Sequence, residues 1–297
     1  MNEPNALAVF EELRPRLVGV AYGLLGTVAE AEDAVQETWI RLQQSDLGAI
    51  DDLTGWLVTT TSRIALDVLR SARVRREAYV GPWLPEPVET APDPADTVSL
   101  ADSMSWAMLV VLETLSPAER AAFVLHDVFG LGFPEVGKAL GRSPAACRKL
   151  ASRAREHVRE RRPRYDVDPE AHREVVDAFA AAAGSGDYEA LLRVLDPDAV
   201  LVSDGGGVVR AARVPVRTAE KVARFLASVS PGSVMRAAVV SGSPALMVFR
   251  DDRFEGVIAL GVADGRVATV DYVRNPDKFH GLRSTGAAGH HHRKEAP

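Results

Sequence analysis

The sequence predicts a multi-domain fold, in which two all-α helical domains are followed by an α+β domain. Three observations predict it: apolar residues recur at helical spacing through residues 5–78, helical signals resume near residue 116, and strand patterns follow residue 198. The expected boundaries are 1–80 and 99–164 for the helical domains, 81–98 for a proline-rich linker, 165–280 for the α+β domain and 281–297 for a disordered tail.

Composition and charge indicate a globular protein with separate charged faces. The chain has 297 residues, a net charge of −6 and one cysteine, Cys147, which excludes an internal disulfide framework and a cysteine-rich zinc site. The first residues carry acids where a signal peptide carries bases, and no apolar run approaches the roughly 20 residues that span a bilayer. We therefore expect a cytoplasmic protein with no cofactor, no metal and no membrane partner. Although the net charge of the chain is negative, two segments are basic, 63–76 and 142–164.

An acidic helix is predicted over residues 28–42. It carries Glu30, Asp33 and Glu37 at the spacing i, i+3 and i+7, which places these acids on one side and the apolar stripe on another. Such a face suits a basic protein partner rather than DNA. A solvated acidic surface is the alternative interpretation.

The next predicted helix is basic. Arg63, Asp67 and Arg70 share its polar face, and the run "RSARVRR" continues that face. Together with Trp56, this helix has the positive charge and the aromatic side chain that proteins use to bind single-stranded DNA. An ordinary cationic surface helix is the alternative interpretation.

The linker combines two opposed signals. Its prolines lack amide donors and favour exposed extended backbone, whereas Trp83 and Leu84 gain free energy only when they are covered. We expect these two side chains to pack on the C-terminal domain, near Asp204 or residues 275–279, and to hold the helical domains at a fixed distance.

The second helical domain contains a predicted helix-turn-helix. Ser116, Pro117 and Glu119 form a capping box before one helix, and residues 133–158 give a short helix, a turn capped by Ser143 and a basic helix. In that helix Cys147, Ala151, Ala154 and Val158 form the inward stripe. The outward positions that suit a DNA groove are Ala145, Arg148, Lys149, Ser152 and Arg155. A basic solvated helix in a bundle is the alternative.

The last domain begins with two predicted helices over residues 168–195, and the turn residues 196–198 end the second. The clearest strands are 234–240, 245–250, 254–262 and 267–273, with the turn "ADGR" joining the last two.

The segments "GTVAEAEDAVQETWIRL" and "GWLVTTTSRIALDVLRSARVRR", followed by the helix-turn-helix, resemble the extracytoplasmic-function sigma factors of bacterial RNA polymerase over residues 10–162. The resemblance implies two partners, core polymerase and promoter DNA, with residues 44–52 capturing a flipped base of the minus-ten element. The implied polymerase-binding residues are Asp33, Gln36 and Glu37. The implied DNA-binding residues are Arg63, Asp67, Arg70, Arg73, Arg75 and Arg76 at the minus-ten element, and Ala145, Arg148, Lys149, Ser152, Arg153 and Arg155 at the minus-thirty-five element.

The motifs "WLPEP", "DGGG" and "NPDKF", with the α+β pattern, resemble the SigJ-type subfamily, which carries a fused C-terminal SnoaL-like cone. That resemblance implies regulation in cis by this domain. The implied regulatory residues are Trp83, Leu84, Pro85, Asp204, Gly205, Gly206, Gly207, Asn275, Pro276, Asp277 and Lys278. A bare glycine triplet also fits a flexible loop.

These patterns predict a non-enzymatic promoter-specificity subunit. The alternative is a small-molecule-binding or catalytic SnoaL-like domain, of the isomerase or cyclase kind, fused to a DNA-binding regulator, with Asp204 or Asp271 as an acid or base. No pairing of carboxylate and base in the sequence demands catalysis. Binding of a small ligand by the C-terminal domain is a further alternative that the sequence leaves open.

Overall fold

The computed structural model describes residues 3–77, 79–89, 104–161 and 169–282. The N-terminal helices are α1 (Glu3–Leu25), α2 (Val28–Gln43) and α3 (Leu53–Glu77). After the linker come α4 (Trp106–Leu112), α5 (Pro117–Phe123), a π-helical turn (Val124–Val128), α6 (Phe133–Leu140) and α7 (Pro144–Arg161). None of the described helices is both long enough and apolar enough to cross a membrane.

The two helical domains pack against each other through one continuous apolar core. Buried Arg120 of α5 donates from Nε to the carbonyl oxygen of Gly23 in α1 at 2.9 Å, and Arg16 donates to the carbonyl of Phe129 at 3.2 Å. The predicted role of the linker in fixing the distance between these domains stays a prediction, and burial of apolar side chains between the domains also holds them in direct contact.

The helix-turn-helix has the predicted local signals. Ser143 Oγ accepts a hydrogen bond from the Ala146 amide at 3.2 Å at the start of α7. Gly141 ends α6 in the left-handed conformation, with φ of 63°, which a residue without a Cβ adopts at little cost. Cys147, Ala151 and Ala154 are fully buried, as their helical spacing predicts.

The C-terminal domain has helices α8 (Pro169–Ser185), α9 (Tyr188–Val194) and α10 (Ala219–Val229) beside a six-stranded sheet. Its strands are β1 (Leu195–Asp204), β2 (Val216–Arg217), β3 (Val234–Val240), β4 (Ser243–Arg250), β5 (Arg253–Ala263) and β6 (Arg266–Val273). The strand order is β2-β1-β6-β5-β4-β3, and β1 pairs parallel with β6 while the other pairs are antiparallel.

Strands β3 to β6 form hairpins with two-residue turns whose residues have positive φ, as type I′ turns require. The turn residues are Ser241 and Gly242, Asp251 and Asp252, and Asp264 and Gly265. These turns match the right-handed twist of the strands, and Asp264 and Gly265 are the central residues of the predicted "ADGR" turn.

The start of the sheet differs from expectation. Residues 196–198, predicted to form a turn, lie in β1, which follows α9 directly. Pairing with β6 is interrupted between Leu195 and Val200, where the Asp198 amide donates to Asp196 Oδ1 at 2.8 Å. The predicted turn residues therefore form an irregularity inside the strand, and regular pairing resumes at Val200. Strand β2 and helix α10 were not predicted either.

The two faces of the sheet have different coverings. Side chains that alternate along the strands point to opposite faces, so Leu246 and Ile258 pack with α8 to α10, while Ala259 and Val273 face the other way. Leu84 of the linker, Trp106 of α4 and Phe279 cover this second face. Segments outside the C-terminal domain therefore complete its hydrophobic burial.

The predicted disordered tail begins too early. Gly281 and Leu282 are folded: Gly281 accepts a hydrogen bond from the Glu89 amide at 2.9 Å, and Leu282 is buried. Burial of Leu282 against the sheet supplies the free energy that orders them. The rest of the predicted tail lies outside the described residues.

Candidate interdomain joint and nucleic-acid interface

Asp204 is the centre of a polar cluster between the linker and the C-terminal domain. It ends β1, is fully buried, and accepts four hydrogen bonds through its carboxylate. Oδ1 accepts from the Tyr79 hydroxyl at 2.6 Å and the Gly206 amide at 3.0 Å. Oδ2 accepts from the Leu84 amide at 2.9 Å and from Lys278 Nζ at 2.7 Å. These donors and the lysine charge offset the desolvation of the buried carboxylate.

Lys278 joins three segments. Besides its ion pair with Asp204, its ammonium donates to the carbonyl oxygen of Leu84. Nζ also lies 3.8 Å from the ring centroid of Trp83 and 5.4 Å from that of Tyr79, within range of cation–π attraction. We call Tyr79, Trp83, Leu84, Asp204, Asn275 and Lys278 the interdomain joint.

Asn275 fixes the loop that carries Lys278. Its side-chain Nδ2 donates to the Tyr79 hydroxyl at 3.0 Å, and its Oδ1 accepts from the Asp277 amide at 3.1 Å, which caps the short 3-10 helix Pro276–Lys278. Burial, with the nearby Asp204 carboxylate, raises the pKa of Tyr79, so this hydroxyl remains a donor.

Not every residue predicted for this region enters the cluster. Gly205 and Pro85 are buried beside it, while Gly207, Pro276 and Asp277 are exposed. The Asp277 amide donates to Asn275 Oδ1 within its own turn, whereas Lys278 makes the ion pair with Asp204.

Glu86 connects the linker to the first helical domain. Its Oε2 accepts from the Val28 amide at 2.8 Å at the start of α2, and its Oε1 accepts from the Gly281 amide at 3.2 Å. The Glu86 carbonyl accepts from the buried Tyr22 hydroxyl at 2.6 Å. Burial raises the pKa of the Glu86 carboxyl. Glu86 thus contacts both the first helical domain and the end of the C-terminal domain.

A second polar contact joins α4 to the sheet. Trp106 Nε1 donates to Asp271 Oδ2 at 2.9 Å, and the Trp106 amide donates to the Ser241 carbonyl at 2.9 Å. Burial raises the pKa of Asp271 to about 6, and the Trp106 bond opposes that shift. The start of the second helical domain is therefore held on the C-terminal domain.

The predicted polymerase-binding residues lie on the surface of α2. Asp33 and Gln36 are exposed, and Glu37 forms an ion pair with Arg41 at 2.9 Å. Such an exposed pair is worth less than about 1 kcal/mol, so it does not prevent Glu37 from changing partners.

The predicted DNA-binding residues of α3 share an exposed face. Arg70 pairs with Asp67 at 3.1 Å, and Arg63 Nη2 donates to the carbonyl of Lys138 in α6 at 2.7 Å. That contact joins α3 directly to the first helix of the helix-turn-helix. The side chains of Arg73, Arg75 and Arg76 lie outside the described residues.

The predicted DNA-binding residues of α7 are all exposed: Ala145, Arg148, Lys149, Ser152, Arg153 and Arg155. Arg155 donates to Asp127 at 2.6 Å, and Arg148 lies over the ring of Phe133 at 5.6 Å, so two of the guanidinium groups are oriented by neighbours. Cys147 is buried beneath them, and burial raises the pKa of its thiol, which makes it a structural rather than a reactive group.

Both carboxylates considered for catalysis accept hydrogen bonds from protein donors. Asp204 has its acceptor positions occupied by protein donors, and Asp271 is bonded to Trp106. Within the described parts of the chain, no group of three histidine, cysteine, aspartate or glutamate side chains could hold a metal ion.

Comparisons with known proteins identify the family. Residues 9–75 match the model of Sigma-70 region 2, and residues 105–158 match that of Sigma-70 region 4. The ECF RNA polymerase sigma factor SigJ of Mycobacterium tuberculosis is 42% identical over 95% of this chain and 98% of its own length. The chain belongs to the extracytoplasmic-function sigma factors of the SigJ type.

Further relatives agree with this assignment. The probable ECF RNA polymerase sigma factor SigI of Mycobacterium tuberculosis is 37% identical, over 95% of this sigma factor and 97% of the relative. The crystal structure of Mycobacterium tuberculosis extracytoplasmic function sigma factor SigJ superposes with a TM-score of 0.73 and 39% identity, covering 93% of this sigma factor and 98% of that chain. The predicted fold class and family are confirmed.

Sequence reasoning missed several residues that connect the domains of this sigma factor. The missed residues are Tyr22, Tyr79, Glu86 and Trp106. Their contacts span 58 to 219 residues of sequence, far beyond any helical or strand period. Glu86 had a detectable signal: an acid in an apolar, proline-rich peptide that is predicted to be covered requires a buried partner.

Proposed function

We propose that this sigma factor binds bacterial core RNA polymerase through Asp33, Gln36 and Glu37 of α2. Their exposed acidic and amide groups suit a basic partner surface, and α2 carries no face suited to DNA. The exposed guanidinium groups of α3 would contact the minus-ten element, with residues 44–52 receiving a flipped base. Those of α7 would enter the major groove at the minus-thirty-five element. The role is binding rather than catalysis.

We further propose that the C-terminal domain inhibits transcription in cis when it is docked. The observation that carries this is the contact between α3 and α6, in which Arg63 lies 2.7 Å from the Lys138 carbonyl. The two promoter elements are centred roughly 25 base pairs apart, about 85 Å at 3.4 Å per base pair. Helices in contact cannot reach both elements at once, so the helical domains must separate on promoter binding.

The C-terminal domain opposes that separation. The interdomain joint holds the linker, Trp106 holds α4 on the sheet, and Glu86 links the linker to α2. Each contact adds to the free energy of opening, and core polymerase would supply the opposing binding energy.

Transcription with purified core polymerase and a promoter library tests the first proposal, and full-length protein must direct initiation from a cognate promoter. Cysteines in place of Ser71 and Glu156, both exposed, with Cys147→Ala, allow a fluorescence distance measurement between α3 and α7. The distance must increase by tens of ångströms when core polymerase and promoter DNA are added. An unchanged distance in an active complex contradicts inhibition by the docked arrangement.

A small-molecule-binding domain remains the second candidate for residues 169–282. Asp271 supports it, because this buried carboxylate lines a cavity and is bonded to Trp106.

A further inference from the structure

A cavity of about 390 Å³ lies between α4 and the sheet. Trp106 and Val110 of α4 form one wall, Val202 and Thr269 of the sheet form the opposite wall, and Asp271 lies at its polar end. Val202 and the alternate residues of β6 that include Thr269 and Asp271 lie on the sheet face that Leu84 and Trp106 cover. The space therefore exists only while the second helical domain is docked on the C-terminal domain.

Its size and lining are those of a small-molecule site. Protein pockets for such ligands typically measure about 300–1,000 Å³ and combine apolar walls with a few polar groups that fix orientation. Asp271 and His172 are the ionisable side chains of the lining. Asp271 uses Oδ2 to accept from Trp106, and an ionised carboxylate has about four acceptor positions.

His172 at the start of α8 is the second ionisable group. Its Nε2 is buried and has no hydrogen-bond partner among the described residues. Burial lowers the pKa of this imidazole, because it disfavours the charged form. A buried ring nitrogen without a partner carries a desolvation cost that a bound polar group would remove.

We propose that this cavity binds a small, largely apolar molecule with a hydroxyl group that donates a hydrogen bond to Asp271. The apolar walls supply most of the contact area. A neutral hydroxyl suits them better than an ammonium group, because desolvating a cation costs several kcal/mol more than its single carboxylate partner returns. This site is separate from the surfaces proposed for polymerase and DNA, so its test needs neither.

The test compares two probes of the same shape, 2-naphthol, which has a hydroxyl donor, and 2-methoxynaphthalene, which has none. Apparent Kd values for the full chain are measured by ligand-observed NMR titration. We expect 2-naphthol to bind at least about tenfold more tightly, the effect of one hydrogen bond to a buried charged acceptor. Asp271→Asn should reduce that preference to less than about threefold, because its amide replaces the charged acceptor while an oxygen remains for Trp106.

Filling the cavity locates the site. Val110→Phe places a larger side chain in the space and should abolish saturable binding of 2-naphthol, whereas Val234→Phe on exposed β3 should leave it unchanged. Ala107→Leu fills the same wall with fewer atoms and replaces Val110→Phe if that variant melts below the assay temperature. Equal affinity for the two probes, no saturable binding of 2-naphthol, or binding that survives in a folded cavity-filling variant would overturn the proposal.

Discussion

Replacing Lys278 by methionine removes the cation that neutralises Asp204 and keeps a side chain of similar length. The side chains of this pair are 6% and 0% exposed, so solvent provides little screening. Removing one partner of a buried pair typically costs about 3–5 kcal/mol. Asp204 keeps its bonds from Tyr79, Leu84 and Gly206 in the variant, so we expect the lower value, about 3 kcal/mol.

Amide hydrogen exchange measures this loss at the joint itself. The Leu84 amide donates to Asp204 Oδ2, so its exchange rate reports how often the joint opens. A loss of about 3 kcal/mol corresponds to roughly 100-fold faster exchange. The matched control is Lys221→Met, the same substitution at an exposed position of α10, which should leave Leu84 exchange unchanged.

A double variant separates charge from shape. Asp204→Asn with Lys278→Met removes both charges and keeps an amide oxygen as acceptor, so its exchange should be slower than in the single lysine variant. Less than about tenfold acceleration in Lys278→Met would refute the claim that the ion pair holds the joint closed.

Three further predictions concern other parts of the chain. Gly206 has φ of 63°, and an added Cβ would lie 2.4 Å from Asn275 Nδ2, so Gly206→Ala should destabilise the chain by more than the roughly 1–2 kcal/mol that left-handed backbone costs. Gly265→Ala, with φ of 71° and open space, should cost only that amount in thermal unfolding. Because burial raises the pKa of Asp271 from 3.8 to about 6, the folded chain holds a proton that the unfolded chain releases. The unfolding free energy should therefore rise by about 2.4 kcal/mol between pH 7 and pH 4 relative to Asp271→Asn. A difference between the two proteins that does not change with pH in urea titrations would contradict this prediction. Arg63→Ala should change stability by less than about 1 kcal/mol, since its guanidinium is exposed, yet reduce promoter opening in a permanganate footprint; normal opening would remove Arg63 from the proposed DNA contacts.

Local signals were sufficient for the helical part of the fold. The capping box at Ser116, the cap at Ser143 and the turn at Gly141 act within four residues of the helix end that each defines. The exposed basic positions of α7 follow from a period of 3.6 residues alone. Such features depend on neighbours in sequence, so sequence periodicity predicts them without knowledge of the tertiary fold.

The sequence predicts the strands that are joined to their neighbours by hairpins, but it does not predict the parts of the sheet where segments distant in sequence pair. Strands β3 to β6 are consecutive and joined by two-residue turns. Strand β1 instead pairs in parallel with β6, about 70 residues later, and starts with residues that favour a turn. Parallel pairing leaves no local turn signal, because its two strands must be joined by a long crossover.

The amino-acid sequence by itself determined the family, the fold class, the charged faces of α2, α3 and α7, and the peptide around Trp83 that required a cover. Tertiary structure decided what that cover is: a sheet face completed by Leu84 and Trp106, with Lys278 bound to Asp204 and Glu86 bound to the start of α2. It also decided that the two helical domains are in contact. The physical reason is that each of these contacts joins residues at least 58 positions apart, and their free energy exists only once the chain has folded.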